Sequence, residues 1–129
     1  MKAFITILFV LFSFVVNADP LKVVYHLNEG EKASILIASL NELIKTNDEL
    51  DVKVVVHGSA VIRLSSRDTL SSKLEELLNK GVKIGVCSIS MLKQGIKHSL
   101  IMEGVELIKE GGVQRILNLQ KQGYLYIKI

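Results

Sequence analysis

The sequence predicts a single-domain α/β fold, a mostly parallel five-stranded sheet flanked by helices. Three observations carry this expectation. From residue 21 onward, β-branched apolar segments alternate with segments whose apolar residues recur at helical spacing. Such alternation implies parallel strands joined by right-handed helical crossovers. The first three strand segments are nearly all apolar, as strands covered on both faces must be. Finally, no Pro-, Gly- or Ser-rich linker, internal repeat or low-complexity tract divides the chain, and residues 19–129 have the length of one small domain.

The elements follow in order. "LKVVYHL" (21–27) is β-branched and aromatic and reads as a strand. In "NEGEKASILIASLNELIK" (28–45), Ala33, Leu36, Ile37, Leu40 and Ile44 share one helical face. Asn28 followed by Glu31 resembles a capping box, so this helix is expected to begin just after Asn28. "DVKVVVHG" (51–58) is a second strand, ending in His57 and Gly58. "LSSKLEELLNKG" (70–81) places Leu70, Leu74, Leu77 and Leu78 on one face and stops at Gly81. "VKIGVC" (82–87) is a third strand, and "SISMLKQG" (88–95) a short helix directly after it. "VELIKEG" (105–111) holds a short fourth strand, "VQRILNLQKQG" (113–123) a last helix, and "YLYIKI" (124–129) an alternating strand near a sheet edge. A flavodoxin-like strand order is expected, with strands 1, 2 and 3 as neighbours.

Residues 1–18 stand apart from this pattern. Lys2, an apolar run from Ala3 to Phe12 and the exit Val16-Asn17-Ala18 describe a secretory signal peptide, cut before Asp19. The run is short for a bilayer span, which needs about 20 residues; retention as an N-terminal anchor is the other reading. Export implies a periplasmic protein with no membrane span after cleavage. The remaining chain carries 15 basic and 13 acidic residues. That balance is too mild, and its cations too scattered, for nucleic-acid binding. The glycines of "GVKIGVC" flank a strand instead of opening a helix, so they are no dinucleotide fingerprint. No cofactor is expected.

In open parallel sheets, ligands bind beyond the carboxyl ends of the strands. Those ends deliver His26, Asn28, His57, Gly58, Cys87 and Ser88 to one rim. Cys87 is the single cysteine of the chain. An unpaired thiol in an exported protein is either a reactive or intermolecular group, or a small buried hydrophobe. Its position at a strand end ahead of a helix start favours a thiolate, since unpaired N–H groups and a partial positive charge gather there. His26 or His57, if protonated nearby, would act in the same direction. His26 can equally be a core histidine, and His57 a strand cap. His98 reads as solvated, and Tyr124 and Tyr126 as packing residues.

The segments "VVYHLNEGE", "VKVVVHGSAVIRL", "GVKIGVCSISMLKQGI" and "GVQRILNLQKQGYLYIKI", in that order, resemble the DsrE/DsrF-like sulfur-relay family over nearly all of residues 19–129. The resemblance implies a DsrE-like fold and a trimer or hexamer. It also implies that Cys87, matching the family's sulfur-accepting cysteine, takes up sulfane sulfur as a persulfide. Partners would then be sulfur donors and acceptor thiols or proteins. The alternative, from a different class, is a non-catalytic oligomeric binding module that presents the rim to a small ligand. A soft metal held by His26, His57 and Cys87 is one form of it.

Overall fold

A computed structural model describes residues 19–129 of the protein; the segment on which the export expectation rests lies outside the described residues. Five strands form one sheet: β1 (Leu21–Leu27), β2 (Leu50–Val56), β3 (Lys83–Cys87), β4 (Glu106–Ile108) and β5 (Leu125–Lys128). Four α-helices connect them: α1 (Ala33–Thr46), α2 (Ser71–Asn79), α3 (Ser88–Gln94) and α4 (Gly112–Lys121). All four strand pairings are parallel, in the order β4-β3-β2-β1-β5. Strands 1, 2 and 3 are contiguous, as expected. The flavodoxin-like order is corrected in one respect: β1 lies between β2 and β5, not between β2 and β3.

This order fixes where the helices go. The chain steps from β1 to β4 in one direction, so right-handed crossovers carry α1, α2 and α3 to the same face. Only α4, on the return to β5, crosses the other. The core is divided accordingly. Val23, Tyr25, Leu27, Val54, Val56, Ile84 and Val86 point to the first face and pack with Leu36, Leu40, Leu74 and Leu77 in one large cluster. The second face holds a small cluster: Val24, Val55 and Ile108 under Ile116, Leu119 and Tyr124. The strands are apolar towards both faces, but the second face has one helix to cover it. Its margins are therefore polar, with Lys53 over the Tyr124 ring at 5.0 Å and the Tyr124 hydroxyl bonded to the Asp51 carboxylate. Burial, then that carboxylate, raise the Tyr124 pKa to about 12, so it remains a donor.

Two local expectations are corrected. The residues after β1 form a 3₁₀ turn, Gly30–Lys32, before α1 begins at Ala33, and no side chain caps either start. Glu29 pairs with Lys32 at 3.1 Å, so Asn28 and Glu31 make no capping box. A second 3₁₀ segment, Gly58–Leu64, follows β2 and buries Ala60, Val61 and Leu64 against the large cluster. Its three-residue turn lacks the 3.6-residue period by which helices are read. Among the described residues, no helix is long and apolar enough to cross a membrane.

Gly85 shows how tightly the second face is filled. A Cβ there would stand 2.7 Å from Ile108 Cδ1 and 2.9 Å from its Cγ1. Ile108 is fully buried and has little room to turn aside. Gly85→Ala is expected to lose about 1–3 kcal/mol of stability through overpacking, measured by urea unfolding. Adding Ile108→Val removes the nearer clashing atom, so the double variant should lose less than the sum of the singles.

Candidate functional site

The parallel register brings the carboxyl ends of the strands to one rim. Val56 of β2 pairs with Val86 of β3, so the next residues, His57 and Cys87, come level. Side chains alternate along a strand. His26 follows Val24, His57 follows Val55 and Cys87 follows Gly85 by two residues, which turns all three to the α4 face. Lys128 and Tyr126 of β5 pair with His26 and Val24 and join the same face. The result is a row across the sheet: Cys87, His57, His26, then Tyr126 and Lys128.

The amino end of α4 closes over this row at Gly112. A Cβ on Gly112 would lie 3.1 Å from His57 Cβ and 3.2 Å from its Cγ, so the missing side chain lets the helix seat against the imidazole. Gly111 precedes it with φ of +93°, a conformation that favours glycine. The backbone N–H of Gly112 is also among the groups that lower the Cys87 pKa. His57 and Cys87 thus flank one backbone unit.

Cys87 is a free thiol with 4% of its surface exposed. Burial pushes its pKa up. The hydroxyl and N–H of Ser90, then the N–H groups of Gly112 and Ile89, more than offset this, and the net shift is below the ordinary thiol value. Because α3 is only seven residues long, the favourable field comes from these individual donors and not from a long helix.

The histidines behave differently from expectation. His26 and His57 meet through their Nε2 atoms with rings stacked, centroids 4.5 Å apart, and His26 Nδ1 lies 2.6 Å from the Tyr126 hydroxyl. Burial, then His57, then Lys128 lower the His26 pKa to about 4. Burial and then Lys128 lower that of His57. Both rings are neutral at pH 7, so cationic support for the thiolate from histidine is absent; the N–H and O–H donors take that part.

The other rim residues are placed as follows. Gly58, at φ +62°, donates its N–H to Ser90 Oγ at 2.8 Å, and a Cβ on it would stand 3.0 Å from the carbonyl oxygen of Asn28. Asn28 thus meets the site through its backbone, which also accepts from Ser59 Oγ at 3.3 Å; its own Oδ1 is buried without a hydrogen-bond partner. Ser88 turns away from the sulfur and donates to the Ile108 carbonyl at 3.0 Å, tying β3 to β4. Among the described residues, no three His, Cys, Asp or Glu side chains converge as metal ligands, which removes His26, His57 and Cys87 as a joint set. A groove of about 550 Å³, lined by Glu75, Leu78, Lys83 and Glu106, lies at the opposite, amino end of β3 and β4.

Four site residues escaped the sequence reading: Ser90, Gly112, Tyr126 and Lys128. Ser90 stands three residues after Cys87, one helical turn on, a spacing visible in "CSIS". Tyr126 and Lys128 become visible only once β5 is known to pair with β1.

The paired histidines set a pH dependence. An unfolded chain protonates His26 near pH 6.5, whereas the folded chain resists until about pH 4. Between these values the unfolded state binds more protons, so stability rises with pH and is lost on acidification. Melting temperature should fall as pH drops through that window, and His26→Gln should flatten the fall. An unchanged profile in the variant would assign the acid sensitivity to other groups.

The fold is shared with known proteins. The family model described as DsrE/DsrF-like matches residues 22–129. Three solved structures have similar folds. The protein of unknown function MTH1491 from Methanobacterium thermoautotrophicum is 25% identical with a TM-score of 0.80, covering 84% of this chain and 99% of its own. YchN from E. coli is 17% identical with a TM-score of 0.74, at the same coverage of 84% and 99%. BT1422 from Bacteroides thetaiotaomicron, of unknown function, is 16% identical with a TM-score of 0.63, covering 84% and 94%. No curated protein matches the chain significantly. With a single parallel five-stranded sheet and a family match over almost every described residue, the chain belongs to the DsrE/DsrF-like family.

Proposed function

We propose that the protein is an exported sulfur carrier that accepts sulfane sulfur on Cys87 as a persulfide and relays it to an acceptor thiol. The observation that carries this reading is the setting of Cys87, a solitary buried thiol at the carboxyl end of β3, level with His57 and ahead of α3, where neighbouring donors hold its pKa below the ordinary value. Family membership supports it. Residues 1–18 have the pattern of a cleaved signal peptide, which fits work in the periplasm, with residues 19–129 as the functional domain.

In the loading step, the Cys87 thiolate attacks the outer sulfur of a polysulfide dianion. A bond forms between Sγ and that sulfur, and the bond from it to the rest of the chain breaks. The electron pair leaves on the shortened polysulfide, which takes a proton from water. In the unloading step an acceptor thiolate attacks the outer sulfur, and Cys87 leaves as thiolate. No net oxidation is required, so no redox cofactor is invoked. With 4% of Cys87 exposed, a small inorganic donor fits better than a bulky one.

The same burial favours the competing reading, a non-catalytic oligomeric module whose rim takes a small ligand while Cys87 only packs. Intact mass separates the two. After incubation with polysulfide, the native protein is expected to gain about 32 Da per sulfur atom, reversed by a reducing thiol, and Cys87→Ser to gain nothing while remaining folded. A native protein that gains no mass would leave the binding module as the better account.

Self-association is part of this proposal. Ile89, Leu92, Val113 and Leu117, on α3 and the exposed side of α4, are all exposed, from 49% at Leu117 to 82% at Leu92. Large apolar side chains in such number usually meet a partner. We expect a trimer or hexamer by light scattering, and Leu92→Lys with Leu117→Lys to yield smaller species. A monomeric wild-type protein at micromolar concentration would count against it.

A further inference from the structure

The second face carries charge that the carboxyl rim does not use. Lys53 lies two residues before Val55 and Lys83 two before Gly85, so both point to the α4 face. They are also register partners, on adjacent strands about 4.8 Å apart. Like charges set opposite each other across a sheet are destabilising. The nearby carboxylates do not relieve this pair. Asp51 accepts from the Tyr124 hydroxyl, and Glu106 and Glu110 accept from Arg115. Among the described residues, neither Lys53 nor Lys83 forms an ion pair; Lys53 has the face of the Tyr124 ring, 5.0 Å away.

Both lysines line one small cavity, of about 40 Å³, together with Arg115, Glu106, Gly85 and Ile108. A single water needs about 10–15 Å³, so the space admits a group of a few heavy atoms. It is far below the roughly 300 Å³ at which sites for larger ligands begin. Ile108 is fully buried and makes the wall apolar on one side, so charge here is less screened than in open solvent. Arg115 brings spare donors. Of its five N–H groups, Nε gives one to Glu110 and Nη2 one to Glu106, and among the described residues the pair on Nη1 is uncommitted. Three cations and one carboxylate line the cavity, which leaves two positive charges. We propose that Lys53, Lys83 and Arg115 form a binding site for one compact inorganic oxyanion of the sulfate or phosphate kind, beside the amino end of β3. A dianion matches the charge, fits the volume and offsets the repulsion between the paired lysines. The site stands at the other end of β3 from Cys87 and does not rest on the sulfur-relay reading.

The test is the anion dependence of thermal stability in the whole chain. Melting temperature is followed at pH 7 as sodium sulfate, and separately sodium phosphate, is raised through the low millimolar range, with sodium chloride at equal ionic strength as the reference. A ligand that binds only the folded state raises the melting temperature in proportion to its occupancy. Wild type should therefore show a saturable rise with the oxyanions that chloride does not reproduce. General salting effects of sulfate grow without saturating and are shared by every variant. Lys83→Met and Lys53→Met keep an apolar stem but lose a charged donor, and each should weaken the apparent affinity roughly tenfold or more. Lys83 is exposed, so its variant folds even where Lys53→Met does not. Lys83→Glu should abolish the rise, and Lys93→Met, an exposed lysine on α3 outside the cavity, should keep it in full. A wild-type rise that chloride reproduces, or that never saturates, overturns the proposal. So does a saturable rise that survives in Lys83→Met and Lys83→Glu, because the ion is then held elsewhere.

Discussion

The direction in which the chain crosses its sheet governs the rest of the molecule. Four strands laid down in one sense commit three helices to one face, and only the return to β5 brings a helix to the other. One helix cannot cover five strands. The second face is therefore apolar under α4 and polar beyond it, and the row from Cys87 to Lys128 runs from covered to open. A more even distribution of helices would have buried this row and left no place for ionisable side chains. The site is a consequence of topology before it is a matter of particular residues.

Within that row, short-range donors matter more than charge. Lys128 is the cation at its far end, and it is half-exposed, 3.8 Å from Glu29 and screened by solvent. Its visible effect is to help keep both histidines neutral. A thiolate in this environment would depend instead on the nearby N–H and O–H groups that lower the Cys87 pKa. Such groups lose little entropy when the charge forms, because they are already in position. Gly112 and Gly58 are what permit it: the first lets α4 approach, and the second turns its N–H into Ser90.

Much of this was legible in the sequence, and the illegible part has a physical pattern. All five strands and the main helices follow from periodicity, and the turning of His26, His57 and Cys87 to one face follows from period two. The strand order was misjudged because sequential hydrophobic runs do not encode which edge receives the last strand. The capping box was misread because Glu29, Lys32 and a 3₁₀ turn satisfy the start of α1 differently. Tyr126 looked like packing because its partner, His26, is 100 residues away in sequence. Ser88 was chosen as the serine beside Cys87, yet in a helix the residue a turn away faces its neighbour and the adjacent one does not. Ser90 therefore sits under the rim and accepts from Gly58 N–H, while Ser88 meets Ile108.

The histidine pair also bears on how the thiol is activated. Cysteine nucleophiles are commonly deprotonated by a neighbouring imidazole. Here each histidine turns Nε2 to the other, and His26 engages Tyr126 through Nδ1. The pair is occupied with itself and resists protonation, so a proton taken from Cys87 would have a poor resting place on it. In the relay proposed for Cys87, activation would then be electrostatic, with the proton released to solvent instead of to a histidine. Such a thiol suits a carrier, which must become an anion readily and leave readily. It does not need the acid-base partner that a hydrolytic cysteine needs to protonate its leaving group. The row of side chains thus divides into a donor-lined sulfur at one end and a neutral, self-paired wall at the other.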